Sequence, residues 1–217
     1  MEDEENDFLV KIPSKRINWN GISNKTNKSN KNVYATREEI EQISQYFDND
    51  FRYYIIFRLL IETGMRKGEL INLRIDELDI ENRHIHLYMG KTMEKHYFIS
   101  ESFKPSLQTY LNERKTANLG HDFLFVGPHK TPYSERIFNK NLEIAREKLG
   151  IEKRITCHTF RRSLNDFRKE EGCSLEDREV LLGHKSSNVN VSGYTKSDIV
   201  RYRLLYDKWN PYKELNL

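Results

Sequence analysis

Cysteine is scarce: Cys157 and Cys173 are the only two in 217 residues. A disulfide framework therefore does not hold this fold together, and a reducing, cytoplasmic compartment is the expectation. Long apolar runs are lacking as well. None approaches the ~20 residues that a membrane-spanning helix needs, so no membrane is expected as a partner. The acidic opening MEDEEN does not have the make-up of a secretory signal. A strong charge of one sign is also missing, with 36 Lys and Arg against 33 Asp and Glu, a net charge of +3. Nucleic-acid binding does not follow from so small an excess.

Charged residues nevertheless make up 32% of the chain beside 37% hydrophobic ones, the mix of a soluble globular protein with a heavily charged surface. The length suffices for one domain with a proper core, or for two small ones. Basic residues gather locally: Lys130 to Glu170 holds eleven Lys and Arg against six Asp and Glu, enough to form a basic face.

Residues 1–35 differ in texture. NWNGISNKTNKSNKN is polar with few apolar anchors and reads as a poorly ordered tail or linker. Regular structure is expected from ATREEIEQISQYF, where Thr36 and Glu39 form a capping box and Ile40, Ile43 and Phe47 follow at helical spacing. FRYYIIFRLLIETG reads as a largely buried helix stopped by Gly64, and RKGELINLR as a short one. RHIHLYMG and KHYFIS flank GKTME as a hairpin, and FLFVG reads as a brief strand. Phe103, Leu107, Tyr110 and Leu111 mark another helix. Further helices are expected at about 134–149, 157–171, 174–182 and 198–209. The fold class is thus α+β, mainly helical, with one small antiparallel sheet inserted after the second or third helix.

CHTFRRSLNDF sets His158 and Arg161 three residues apart on a predicted helix, hence on one face. Such a pair suits an anion, since the guanidinium grips two oxygens and the imidazole handles a proton. ETGMRKGEL places Arg66 at the start of a helix, where free N–H groups favour a phosphate, with Glu69 positioned to hold it from behind. MGKTMEK carries Lys91 at the hairpin tip, with Lys95 an equally available amine, and LLGHK ends a helix with Gly183 and His184. Tyr194 stands among Ser192, Gly193 and Thr195, without the apolar neighbours of a core tyrosine. Singly, each has an ordinary reading: a solvated helix face, an arginine after a helix stop, lysines at a turn, a helix-capping histidine.

Their order does not. Arg66, Lys91, His158-x-x-Arg161, Gly183-His184 and Tyr194 resemble, over residues 36–210, the catalytic domain of the tyrosine recombinases, the phage-integrase family. That resemblance implies a catalytic domain over 36–217 and a site-specific recombinase acting on double-stranded DNA, as a tetramer, without metal ion, ATP or other cofactor. It also implies that the Tyr194 phenol attacks a phosphodiester, leaving a 3′-phosphotyrosine and a free 5′ hydroxyl. Arg66 and Arg161 would neutralise the phosphate oxygens, His158 would relay the phenol proton and Lys91 would protonate the departing oxygen. His184 would position phosphate and nucleophile.

Two features depart from the family pattern. Tyr194 follows His184 by ten residues where nine is usual, and the usual N-terminal DNA-binding domain has only the 1–35 tail in its place. DIVRYRLLYDKW reads as an amphipathic helix that docks on a neighbouring protomer or folds back on its own core; Tyr202 and Tyr206 are read as packing residues on it. Three other readings stay open. One is a DNA-binding regulator or decoy that keeps the fold without strand exchange, and another a type IB topoisomerase-like enzyme. The third, a metal-dependent nuclease, would use Asp76, Glu77, Asp79 and Glu81 with His84 and His86, but these match no known metal-ligand spacing.

Overall fold

A computed structural model describes residues 33–89, 93–117, 119–127, 131, 133–183, 196–213 and 215. The first helix, α1 (Arg37–Phe47), starts on the anticipated capping box: the Thr36 N–H donates to Glu39 at 2.8 Å and the Glu39 N–H to the Thr36 hydroxyl at 3.2 Å. Its Ile40, Ile43 and Phe47 are buried. α2 (Phe51–Thr63) is capped by Asp50 and buried throughout its second half, from Ile55 to Thr63. It ends at Gly64, whose φ of 63° lies in the left-handed region, and a Cβ there would stand 2.9 Å from Leu182 and 3.0 Å from Leu164. Conformation and close packing both demand glycine at that position.

α2 is the central element. It packs on α1, on α4 (Lys104–Thr116) and on α6 (Cys157–Glu170), where Phe57 meets Phe160 edge-on at 5.1 Å. Inside it, Arg58 and Glu62 form a buried ion pair, 3% and 1% exposed. Glu62 also accepts hydrogen bonds from Ser100, through its N–H at 2.7 Å and its hydroxyl at 2.9 Å, and from Tyr206 at 3.0 Å. Burial of that charge is tolerable only because each carboxylate oxygen has partners.

After the short α3 (Lys67–Ile71) comes a three-stranded antiparallel sheet, β1 (Leu78–Asp79), β2 (His84–Met89) and β3 (Met93–Phe98), in that order. The hairpin pairs His84 with Phe98 and His86 with His96. The two-residue β1 was not anticipated; it hides inside the acidic run RIDELDIEN. FLFVG is not a strand: Phe123 makes only an isolated bridge to Arg74 rather than a ladder, and Leu124 and Phe125 are fully buried in an irregular segment.

Three more helices, α5 (Glu135–Lys148), α7 (Leu175–Leu181) and α8 (Lys196–Lys208), match the sequence expectations to within two residues. Returning onto its own core, α8 buries Tyr206 and has Asp207 gripped by both terminal nitrogens of Arg83 at 2.7 Å. Tyr202 packs there partly buried. No helix among the described residues is long and apolar enough to cross a membrane.

Candidate active site

Arg66 occupies the N-cap of α3, directly beyond the Gly64 turn. Its N–H donates to Glu69 at 2.9 Å and its guanidinium pairs with the same carboxylate at 3.2 Å, so Glu69 does hold it from behind. The Arg66 side chain remains 55% exposed and offers its charge outward, while Glu69 is 5% exposed. Glu69 has two further partners, the Lys95 ammonium and, at 2.9 Å, the Tyr97 hydroxyl. Burial works to raise the Glu69 carboxyl, but hydrogen bonds from Lys95, the Arg66 backbone and Tyr97 together hold it below its ordinary value.

Lys95 is thus not an available amine at the hairpin, as its sequence position suggested. Strand alternation turns it inward, 7% exposed, onto a buried carboxylate. Tyr97, two residues on, lies on the same side and packs against Gly183 at the end of α7. A Cβ on Gly183, where φ is 67°, would sit 2.9 Å from the tyrosine ring. Sequence reasoning misread Lys95 and missed Tyr97, because their roles depend on strand facing.

His158 lies on the first turn of α6 and is exposed; Arg161, one turn later, is 7% exposed. The Arg161 guanidinium donates to the carbonyl of Gly64 and, at 2.9 Å, to that of Leu182. It therefore ties together the turn after α2 and the end of α7, the stretches that carry TGMRKGEL and LLGH. Partial loss of hydration foremost, then the cations Arg162, Arg161 and Arg66, draw the His158 imidazole below its ordinary value. It is neutral at neutral pH and able to accept a proton. The neighbouring Cys157 thiol is pushed up to about 11 by burial and stays protonated.

Arg66, His158 and Arg161 line one cleft of about 660 Å³ between α3, α5 and α6. Lys67, Arg146 and Arg154 line it too, so five lysines and arginines stand against two glutamates. Arg146 and Arg154 come from the Lys130–Glu170 stretch whose basic excess was visible in the sequence. An exposed guanidinium, a second one fixed by two carbonyls and a neutral imidazole can together bind a phosphate and move a proton. Lys91, His184 and Tyr194 lie outside the described residues.

A family model described as the phage integrase family matches residues 34–200. A protein named "Probable integrase/recombinase" from Acholeplasma phage L2 is 28% identical over 166 residues, covering 75% of this chain and 55% of the relative. Tyrosine recombinase XerD of Listeria innocua is 28% identical over 160 residues, covering 72% and 54%. Among solved structures, a crystal structure of XerA recombinase superposes with a TM-score of 0.65 at 25% identity, over 80% of this chain and 59% of that one. The chain spans about half the length of the curated relatives it matches.

Proposed function

Because the chain belongs to the phage integrase family, we propose that it is a tyrosine recombinase cleaving and rejoining double-stranded DNA through a 3′-phosphotyrosine intermediate. The observation that carries this reading is the convergence of Arg66, His158 and Arg161 on one basic cleft. These residues come from sequence positions up to 95 apart, and the fold brings them to a site suited to one phosphodiester.

In this reading the scissile phosphate sits between Arg66 and Arg161, which neutralise charge on its non-bridging oxygens as the phosphorus becomes five-coordinate. Arg161 needs no reorganisation, since two carbonyls already fix it. The Tyr194 phenol attacks phosphorus while His158 takes up its proton, since a phenol ordinarily titrates near pH 10 and needs a base at neutral pH. The bond to the 5′ oxygen breaks and Lys91 protonates that oxygen. His184 bonds the phosphate and orients Tyr194. Because the phosphotyrosine conserves the energy of the broken bond, attack by a 5′ hydroxyl reseals the strand without ATP.

The catalytic domain is assigned to 36–217, with 1–35 as a polar extension. A tetramer on DNA accompanies the reading. On α8, Val200 and Leu204 are 45% and 61% exposed, an apolar face available to a neighbouring protomer even though Tyr206 is committed to the core. Incubation with a nicked DNA suicide substrate in EDTA tests the proposal. A covalent adduct with the unsubstituted protein that disappears with Tyr194→Phe is expected. DNA binding by both proteins with no adduct from either would instead support a regulator that has lost strand exchange.

A further inference from the structure

The two faces of the hairpin have different chemistry. Lys95 and Tyr97 point to Glu69 and the phosphate cleft, so Glu94, His96 and Phe98 belong to the opposite face. On β2, His84, His86 and Tyr88 share that opposite face, because the register sets His86 against His96 and Tyr88 against Glu94. Three imidazoles and a carboxylate are gathered there. His86 and His96 stack at 4.5 Å between centroids, and His84 and His96 at 5.0 Å.

We propose that His86, Glu94 and His96 bind one zinc ion, at a site separate from the phosphate cleft. One ligand atom from each lies within 4.8 Å of the other two. His86 Nε2 stands 3.3 Å and His96 Nε2 3.9 Å from the same Glu94 oxygen. Ligands held at about 2.0–2.2 Å around a tetrahedral ion are themselves roughly 3.4 Å apart, so small side-chain adjustments close the site. Two imidazoles and a carboxylate are a zinc-type donor set that leaves a fourth position for water.

The surroundings orient the ligands. His84 Nε2 lies 2.8 Å from His96 Nδ1. With His84 as acceptor, His96 carries its proton on Nδ1 and presents Nε2 towards Glu94, the outer-shell arrangement that fixes the tautomer of a metal-binding histidine. Glu94, 42% exposed, marks the side from which the ion enters, while the ligand nitrogens of His86 and His96 are both buried and form the floor. The site is invisible to a search for ligand spacing along the chain because its members come from two strands. An ion there cross-links β2 to β3 and fixes the register of the hairpin that carries Lys91. It takes no part in the phosphate chemistry.

Chelator-treated protein titrated with ZnCl2, by calorimetry and by thermal melting, tests the site. One ion per chain is expected. With zinc a hundredfold above Kd, Tm should rise by about 5–10 °C. His86→Asn and Glu94→Gln, at the more exposed ligands, should each weaken binding at least tenfold with an unchanged far-UV spectrum. His158→Gln, in the separate cleft, should bind zinc as the unsubstituted protein does. Absence of stoichiometric binding, full affinity in both ligand variants, or loss of the ion in His158→Gln would overturn the proposal.

Discussion

Glu69 is the joint between the arginine at the head of α3 and the hairpin, and replacing it with glutamine isolates what its charge does. Glutamine keeps the shape and an acceptor for the Tyr97 hydroxyl. It leaves the Lys95 ammonium, 7% exposed, without its counter-charge. Removing one member of a buried pair costs about 3–5 kcal/mol, far more than the roughly 1 kcal/mol of a lost neutral hydrogen bond. For a chain of this size that corresponds to a fall in Tm of roughly 6–20 °C, read by calorimetry at pH 7. Adding Lys95→Met, which removes the stranded charge and keeps an apolar stem, should recover much of the loss, so the two substitutions are non-additive. The sign with pH follows from the depressed Glu69 carboxyl. Its contribution is complete above the ordinary carboxylate value of the unfolded chain and fades as pH falls through the lower folded value. Glu69→Gln should lose that part of the acid sensitivity. A melting point within 2 °C of the original (on the order of 1 kcal/mol or less), or strictly additive effects with Lys95→Met, would refute the coupling.

Two other outcomes follow from the cleft. Gly183→Ala forces a side chain into a left-handed backbone and against the Tyr97 ring, 2.9 Å away. It should cost about 2 kcal/mol or more, visible as a lower Tm, and an unchanged melting point would contradict the packing. Since His158 titrates below the ordinary histidine value, single-turnover cleavage should hold its rate down past about pH 6.5 before falling. His158→Gln should lower the plateau by roughly 10²–10⁴-fold and remove that acid limb; a limb that persists would assign it to another group.

Much of this fold was legible because local signals agreed with tertiary ones. Thr36 and Glu39 do cap α1, Gly64 does stop α2 in a left-handed turn, and His158 and Arg161 do line one cleft from one helix. FLFVG misled because an apolar run satisfies a strand and a buried irregular segment equally well. Lys95 misled for a related reason: composition near a turn favours a solvated lysine, and only the pairing register reveals that it faces Glu69. The histidine cluster needed the same information, since His86 and His96 meet only once the strands are aligned. Arg161 shows a different limit. Its residue type announced an anion site, yet its two bonds to the carbonyls of Gly64 and Leu182 come from segments 97 and 21 residues away.

The proposed mechanism turns on which side chain becomes bonded to DNA. Digestion of the trapped adduct and mass spectrometry of the DNA-linked peptide would identify it. The prediction is a 3′-phosphate carried on Tyr194, within the tryptic peptide Ser186–Lys196. A phosphate on Tyr202 or any other residue would contradict the assignment of the nucleophile.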